Sequence, residues 1–286
     1  MLQNHANFSQ ARDFLLHSLR PYYPEGESQS ILRLILEDLG IPVYLPISNP
    51  HNEVGATIVS KINEIAKEIP AGKPIQYILG YAWFCDLKIG VNPSVLIPRP
   101  ETEELVELIR KQTFQKPSKM LDLASGSGCI ALALKKYFPQ AEVTGVEFSH
   151  DALETATQNS RNLGLDVQWT WGNLLTGEGL EEGPIYDLIV SNPPYVLEEE
   201  KTLMENNVLQ FEPPEALFVE NHEPLLFYRA IASYAYRKLS KDGSLWLEIN
   251  ERKGEESTTL LMDQGFTQIT ILKDIHDKDR FIRASR

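Results

Sequence analysis

The sequence predicts an α/β chain: a largely parallel sheet covered by helices on both faces, preceded by a small helical region. Three observations carry this. From about residue 117 onward, short apolar runs alternate with segments of helical spacing. Residues 1 to about 80 show helical spacing alone, with no convincing strand. Of the 286 residues, 42% are hydrophobic and 23% charged, which allows a sizeable core and argues against a disordered chain.

In chain order, Ala11, Leu15 and Leu19 recur at spacing four before Pro21. A second apolar segment runs from Ile31 to Leu39 and ends at Gly40, and Ile58, Ile62, Ile65 and Ile69 form a stripe closed by Pro70. Residues 1–82 therefore read as a small helical domain. Phe84–Val91 and Val95–Ile97 flank Asn92-Pro93 and predict a β-hairpin linker over 83–98. Pro98 and Pro100 then bracket Arg99, and Glu101, Glu103 and Glu104 crowd the first turn of a helix, where they complement its dipole. In the remaining domain, 99–286, the expected strands are Met120–Ala124, Val143–Glu147, Val167–Trp171, Leu188–Ser191, Leu245–Ile249, Ile269–Leu272 and Phe281–Ala284. Helices are expected near 127–138, 150–163, 223–239 and 253–264. There is no internal repeat and no low-complexity linker.

Charge narrows the partners. Lys and Arg number 27 against 40 Asp and Glu, a net charge of −13, which disfavours an extended nucleic-acid surface while leaving room for a local basic patch. Two cysteines, Cys85 and Cys129, are too few for a disulfide framework and point to a reducing compartment. The N-terminal segment lacks a signal-peptide pattern, and no apolar run approaches the roughly 20 residues that span a bilayer. The expectation is a cytoplasmic chain without membrane association. The six histidines show no metal-ligand spacing, so no metal is expected.

Met120–Leu123 leads through Ala124, Ser125, Gly126, Ser127 and Gly128 into a helix start at Cys129. Small residues there let a ligand approach the backbone, and the free N–H groups of the helix start can face a polar or anionic group. Glu147, 21 residues after Gly126 at the end of the next strand, is placed to accept hydrogen bonds from ribose hydroxyls. Gly126–Ala131 also satisfies the loose dinucleotide fingerprint, so the turn alone does not separate NAD from S-adenosylmethionine.

Tyr186–Ser191 is an apolar strand that runs into Asn192-Pro193-Pro194-Tyr195. Neither proline can donate a backbone hydrogen bond, and both fix φ, so the chain leaves the sheet as a stiff extended turn. The carboxyl end of such a strand is where ligands bind in open α/β sheets. Asn192 offers a carboxamide oxygen and Pro193 a carbonyl, two acceptors for the two hydrogens of a planar –NH2 group. Tyr195 offers an aromatic wall.

On this frame, Asn192-Pro193-Pro194-Tyr195 resembles methyltransferases that use S-adenosylmethionine on planar amino or amide nitrogens: DNA adenine-N6, some RNA guanine-N2 and protein glutamine-N5 enzymes. Further segments narrow the likeness. Gly72–Gly80 followed by Phe84, Val95–Glu103, Phe211–Leu217 with Tyr228-Arg229, Leu247-Glu248-Ile249, and Lys273-Asp274 with Asp279-Arg280 resemble the family that methylates glutamine in peptide-chain release factors (HemK/PrmC). The likeness is strong over about 72–286, while the helical region agrees in length and character.

That resemblance implies a Rossmann-like, seven-stranded class I S-adenosylmethionine-dependent methyltransferase domain, joined by the hairpin to the helical domain. It implies transfer of a methyl group to N5 of the glutamine in the Gly-Gly-Gln motif of class I release factors, with S-adenosylhomocysteine as product. Position by position, it implies that Ala124, Ser125, Gly126 and Gly128 line the donor pocket and that Glu147 holds the ribose. Asn173 meets the adenine edge, and Asn192 borders both donor and substrate. Asn192 and Pro193 grip the substrate amide, while Pro194 and Tyr195 pack beside it. Arg99, Pro100 and Glu101 sit at the mouth of the donor site, and the helical domain and hairpin dock the remainder of the release factor. A monomer is expected. Ala124 stands where the family usually has glycine, Asn173 where it has an acid and Asn250 where it has a small residue; none of the three is expected to touch the transfer machinery. The alternatives are a ribosomal-protein glutamine methyltransferase, a DNA or RNA amino-methyltransferase, a silent release-factor adaptor and a nicotinamide dehydrogenase.

Overall fold

The stripes of the first 80 residues fold as helices α1 (Phe8–Leu19), α2 (Glu25–Asp38), the single turn α3 (Leu45–Ser48), α4 (Ala56–Glu68) and α5 (Ile75–Leu79). Asn7 starts α1 with a capping box: its side chain accepts from Gln10 N while the Gln10 side chain accepts from Asn7 N. Leu15 and Leu19 from α1, Ile35 from α2 and Val59 and Ile62 from α4 are fully buried against one another. Each such side chain contributes about 1.5–3 kcal/mol of hydrophobic free energy.

The computed structural model describes residues 1–113, 117–180 and 183–286. These form two compact units: Met1–Gly80 with Glu205–Phe211, and Tyr81–Met204 with Glu212–Arg286. The second unit opens with a hairpin, β1 (Tyr81–Phe84) and β2 (Leu87–Gly90), paired antiparallel. Its turn is Cys85-Asp86, both with positive φ (48° and 55°), not Asn92-Pro93 as the sequence predicts. Asn92 does build a turn, accepting from Ser94 N at 2.8 Å, but no strand follows it. Val95–Ile97 instead runs as an extended segment whose Ile97 N–H bonds Glu212.

After α6 (Pro100–Gln112) the expected alternation follows: β3 (Lys119–Leu123), α7 (Cys129–Tyr137), β4 (Glu142–Glu147), α8 (His150–Leu163), β5 (Gln168–Trp171) and β6 (Tyr186–Ser191). A short excursion carries β7 (Val196–Leu197), α9 (Asn206–Phe211) and β8 (Phe218–Val219), with β7 and β8 paired at its base. Then come α10 (Leu226–Lys238), β9 (Leu239–Glu248), α11 (Gly254–Asp263), β10 (Thr267–Lys273) and β11 (Asp279–Ser285). All seven expected sheet strands are present, in the order β10-β11-β9-β6-β3-β4-β5. The β9-β6-β3-β4-β5 pairings are parallel, and β11 runs antiparallel to both β9 and β10. Leu121, Leu123, Ile189, Leu245, Leu247 and Ile282 fill the sheet's core, which is why these strands read as unbroken apolar runs. Strand order reverses between β3 and β6, the switch point at which ligands bind in such sheets. Ser191 Oγ donates to Leu123 O at 2.6 Å and ties the two strand ends together there. Among the described residues, no helix is long and apolar enough to cross a membrane.

Candidate active site

Beyond β3 the chain takes three left-handed residues in five: Ala124 (φ 58°), Gly126 (φ 53°) and Gly128 (φ 80°). Ser125 N donates to Val146 O, and Gly128 N to Ser125 O, which closes the turn. The two glycines serve different ends. A Cβ on Gly126 would meet open space, whereas one on Gly128 would sit 2.5 Å from the Trp169 ring. Gly128 is thus a packing glycine under Trp169 and does not line the cavity, contrary to the role the resemblance implies for it.

That cavity, of about 290 Å³, lies at the switch point. Of the residues singled out in the sequence, Ala124, Ser125, Gly126, Glu147, Asn173, Asn192 and Pro194 line it, as does Arg99. Pro193 and Tyr195 do not, and neither do Pro100 and Glu101.

Glu147 is held before any ligand arrives. Its Oε2 accepts from Gly126 N at 2.8 Å, and its Oε1 accepts from Phe148 N at 2.8 Å and Ser149 N at 2.9 Å. Oε2 keeps lone-pair capacity for a hydroxyl donor. Phe148 and Leu175 line the cavity while remaining 57% and 47% exposed, apolar surface available to a flat ring. Trp171 braces Phe148, donating from Nε1 to its carbonyl at 2.7 Å. The Asn173 carboxamide oxygen is taken by Leu175 N (2.9 Å) and Thr176 N (3.2 Å), so its NH2 is the group left for a ligand. Asp122, on β3, is fully buried; its Oδ2 accepts from Ala131 N at 3.3 Å, and among the described residues its Oδ1 has no hydrogen-bond partner. Burial pushes its carboxyl up to about 7. Ser127, on the lining near the Cys129 thiol, has a buried Oγ with no conventional hydrogen-bond partner among the described residues.

Also on the cavity wall, Asn192 Nδ2 donates to Thr102 Oγ1 at 3.0 Å. Thr102 Oγ1 donates to Glu248 Oε2 at 2.7 Å, and Tyr195 Oη donates to Glu248 Oε1 at 3.0 Å. Burial and the neighbouring Glu248 carboxylate push the Tyr195 phenol well above its ordinary value. Asn250, contrary to expectation, touches this loop: its Nδ2 donates to the Tyr195 carbonyl at 3.3 Å and to Glu200 Oε2 at 2.9 Å. Arg99 pairs with buried Glu212 at 2.6 Å. Sequence reasoning missed Thr102, Glu212 and Glu248 as site residues. The available signal was a carboxylate, Glu248, inside the otherwise apolar end of β9.

The chain matches the family described as Methyltransferase small domain over residues 100–211. It is 39% identical over 274 residues to a release factor glutamine methyltransferase from Bacteroides thetaiotaomicron, covering 96% of this chain and 98% of that one. It is 40% identical over 286 residues to a protein of the same name from Flavobacterium psychrophilum, covering 96% and 97% respectively. In fold it resembles a methyltransferase crystal structure from Pyrococcus furiosus, with a TM-score of 0.52, 16% identity and coverage of 70% of this chain and 88% of that one.

The methyl donor is S-adenosylmethionine, and the residues present fit it. Glu147 suits a ribose, the Phe148 and Leu175 surface suits a flat base, and Ser127 Oγ and the strand-end backbone offer polar contacts to the remainder. With a sheet of this order, a cavity of this chemistry and relatives this similar over nearly the whole length, the chain belongs to the release factor glutamine methyltransferase family.

Proposed function

We propose that this chain methylates the side-chain amide nitrogen, N5, of the glutamine in the Gly-Gly-Gln motif of class I release factors. One observation carries the reading of the site: Asn192 lies on the cavity wall with its NH2 committed to Thr102, which leaves its carboxamide oxygen as an acceptor. When bound, S-adenosylmethionine supplies a methyl group on a positively charged sulfur, already a strong electrophile. The protein's task is to make a poor nucleophile attack it. The lone pair of an amide nitrogen is delocalised into the carbonyl. Pro193 stands in the chain between the lining residues Asn192 and Pro194, and acceptance of the two hydrogens by Asn192 Oδ1 and the Pro193 carbonyl at the edge of the cavity would favour a pyramidal nitrogen and stabilise the positive charge that develops there. Positioning within a partly closed cavity supplies much of the remainder. An amide nitrogen that has gained a methyl group is strongly acidic and loses its proton to water, so no residue is assigned as general base.

The helical unit is the proposed dock for the release factor's body. It exposes Val43, Tyr44 and Ile47 around α3, at 49%, 62% and 74%.

The test is mass spectrometry of a purified release factor after incubation with this protein and S-adenosylmethionine, beside a factor carrying Ala at the Gly-Gly-Gln glutamine. One methyl on that glutamine, absent from the variant, is expected. No methyl despite measurable donor binding would refute the proposal and turn the search to ribosomal-protein and nucleic-acid acceptors. Asn192→Ala is expected to abolish turnover with donor binding nearly intact, as read by calorimetry with S-adenosylhomocysteine.

A further inference from the structure

Two residues of the Asn192–Tyr195 turn are tied to one buried carboxylate. Glu248, on β9, is 1% exposed and Thr102, on α6, 2%. Thr102 links Asn192 to one oxygen of Glu248, and Tyr195 holds the other. We propose that Glu248 is a positioning residue for amide transfer: by taking the Thr102 proton it keeps the carboxamide oxygen of Asn192, rather than its NH2, turned to the substrate. This rests on the reading above, in which Asn192 receives the substrate amide.

The oxygen and nitrogen of a carboxamide are nearly the same size, so shape alone does not decide which way Asn192 faces. Hydrogen-bond polarity does. A threonine hydroxyl has one proton. While that proton is given to Glu248, Thr102 Oγ1 has only lone pairs left, and the Asn192 atom beside it must be the nitrogen. If Glu248 takes up a proton of its own and donates it to Thr102, the Thr102 proton is released toward Asn192. The carboxamide oxygen is then favoured on the Thr102 side, and Asn192 presents an NH2 group to the substrate NH2, a donor facing a donor. An ionised Glu248 accepts only, so it also fixes Tyr195 as a donor.

The groups around Glu248 set this balance. Arg280 on β11 favours its ionised form, Glu101 on α6 opposes it, and the Tyr195 and Tyr228 hydroxyls face it from the turn and from α10. Burial pushes the carboxyl up to about 7 while Thr102, Tyr195 and Arg280 hold it down. The change of state therefore falls where turnover can be followed.

The experiment uses the full chain with a release factor as substrate, and measures kcat against pH, KM for the factor, and Kd for S-adenosylhomocysteine. For the unaltered protein, kcat should fall several-fold between pH 8 and 6. Glu248→Gln should lose that fall, because glutamine does not titrate. Thr102→Val should lower kcat at least tenfold with donor Kd within threefold, and Thr102→Ser should recover activity to within threefold. Full kcat in Thr102→Val, or an unaltered acid limb in Glu248→Gln, overturns the proposal. If Glu248→Gln does not fold, the Thr102 pair decides alone, since equal loss in valine and serine variants also overturns it. A wild-type chain that leaves the release factor unmethylated refutes the underlying reading instead, and the proposal falls with it.

Discussion

Glu212 should hold part of the cavity wall, and removing it should cost both stability and donor affinity. Its carboxylate is 3% exposed and accepts from Ile97 N at 3.1 Å and from an Arg99 guanidinium nitrogen at 2.6 Å. The residues that follow it, Pro213, Glu215 and Ala216, line the cavity, as do Val95 and Leu96 of the extended segment that carries Ile97. In Glu212→Ala the Ile97 N–H, on a residue 4% exposed, loses its partner, at a cost of about 1–3 kcal/mol. The Arg99 side chain is 32% exposed and can be rehydrated, so its lost ion pair adds only about 0.5–1 kcal/mol. The expected loss is about 2–3 kcal/mol for alanine. For Glu212→Gln it is about 1 kcal/mol, since one acceptor oxygen remains for Ile97 N. Donor affinity should weaken by about 3–10-fold for alanine, equivalent to roughly 0.7–1.4 kcal/mol, and less for glutamine. Urea unfolding and calorimetry with S-adenosylhomocysteine read the two effects. An alanine variant within 0.5 kcal/mol of the unaltered chain, on the order of the scatter for neutral surface changes, would refute the assignment, as would an unchanged donor Kd.

Three other perturbations test other parts of the molecule. Ala124→Gly removes a side chain from a left-handed residue (φ 58°), a penalty of about 1–2 kcal/mol, against about 0.5–1 kcal/mol of extra backbone entropy. A net gain of about 0.5–1 kcal/mol in urea unfolding is expected, and a loss would contradict it. Asp122 has a folded-state value of about 7 against an ordinary 3.8, so the folded chain holds the extra proton between those limits. Its contribution to stability is complete below about pH 4 and is lost as pH rises through about 7. Asp122→Asn should therefore gain stability relative to the unaltered chain between pH 5 and 8, by up to about 4 kcal/mol, and parallel unfolding curves at the two pH values would argue against this. Tyr44→Glu with Ile47→Glu should raise KM for the release factor at least tenfold while leaving turnover of a Gly-Gly-Gln peptide unchanged; an unaltered KM would move the dock elsewhere.

The sheet was legible because parallel strands buried on both faces must be apolar throughout, as in Leu188–Val190 and Leu245–Leu247. The turns were less so. Cys85-Asp86 carries none of the glycine or asparagine chemistry that signals a two-residue hairpin, while Asn92-Pro93-Ser94 carries a turn signal without a second strand. The polar contacts of the site were out of reach for a different reason. Thr102 and Glu248 lie 146 residues apart, Arg99 and Glu212 113. No local spacing encodes such pairs, which exist only once α6, β9 and the excursion after β6 have been brought together. Gly128 illustrates the converse. Its place in a glycine turn reads as room for a ligand, yet the atom a side chain would strike belongs to Trp169.

The course of the chain also decides how the helical unit can be studied. The backbone enters that unit twice, first as Met1–Gly80 and again as Glu205–Phe211, between the Asn192–Tyr195 turn and the Glu212 anchor. The excursion is closed at its base by the pairing of β7 with β8. A deletion of the first 80 residues would strip α9 of the helices it is grouped with, while α9 stays joined along the chain to both the turn and the cavity wall. Loss of activity in such a truncation would report damage to the site as readily as loss of a docking surface. Substitution at Tyr44 and Ile47, around α3, leaves Glu205–Phe211 intact. It is therefore the perturbation that separates recognition of the release factor from the chemistry at Asn192.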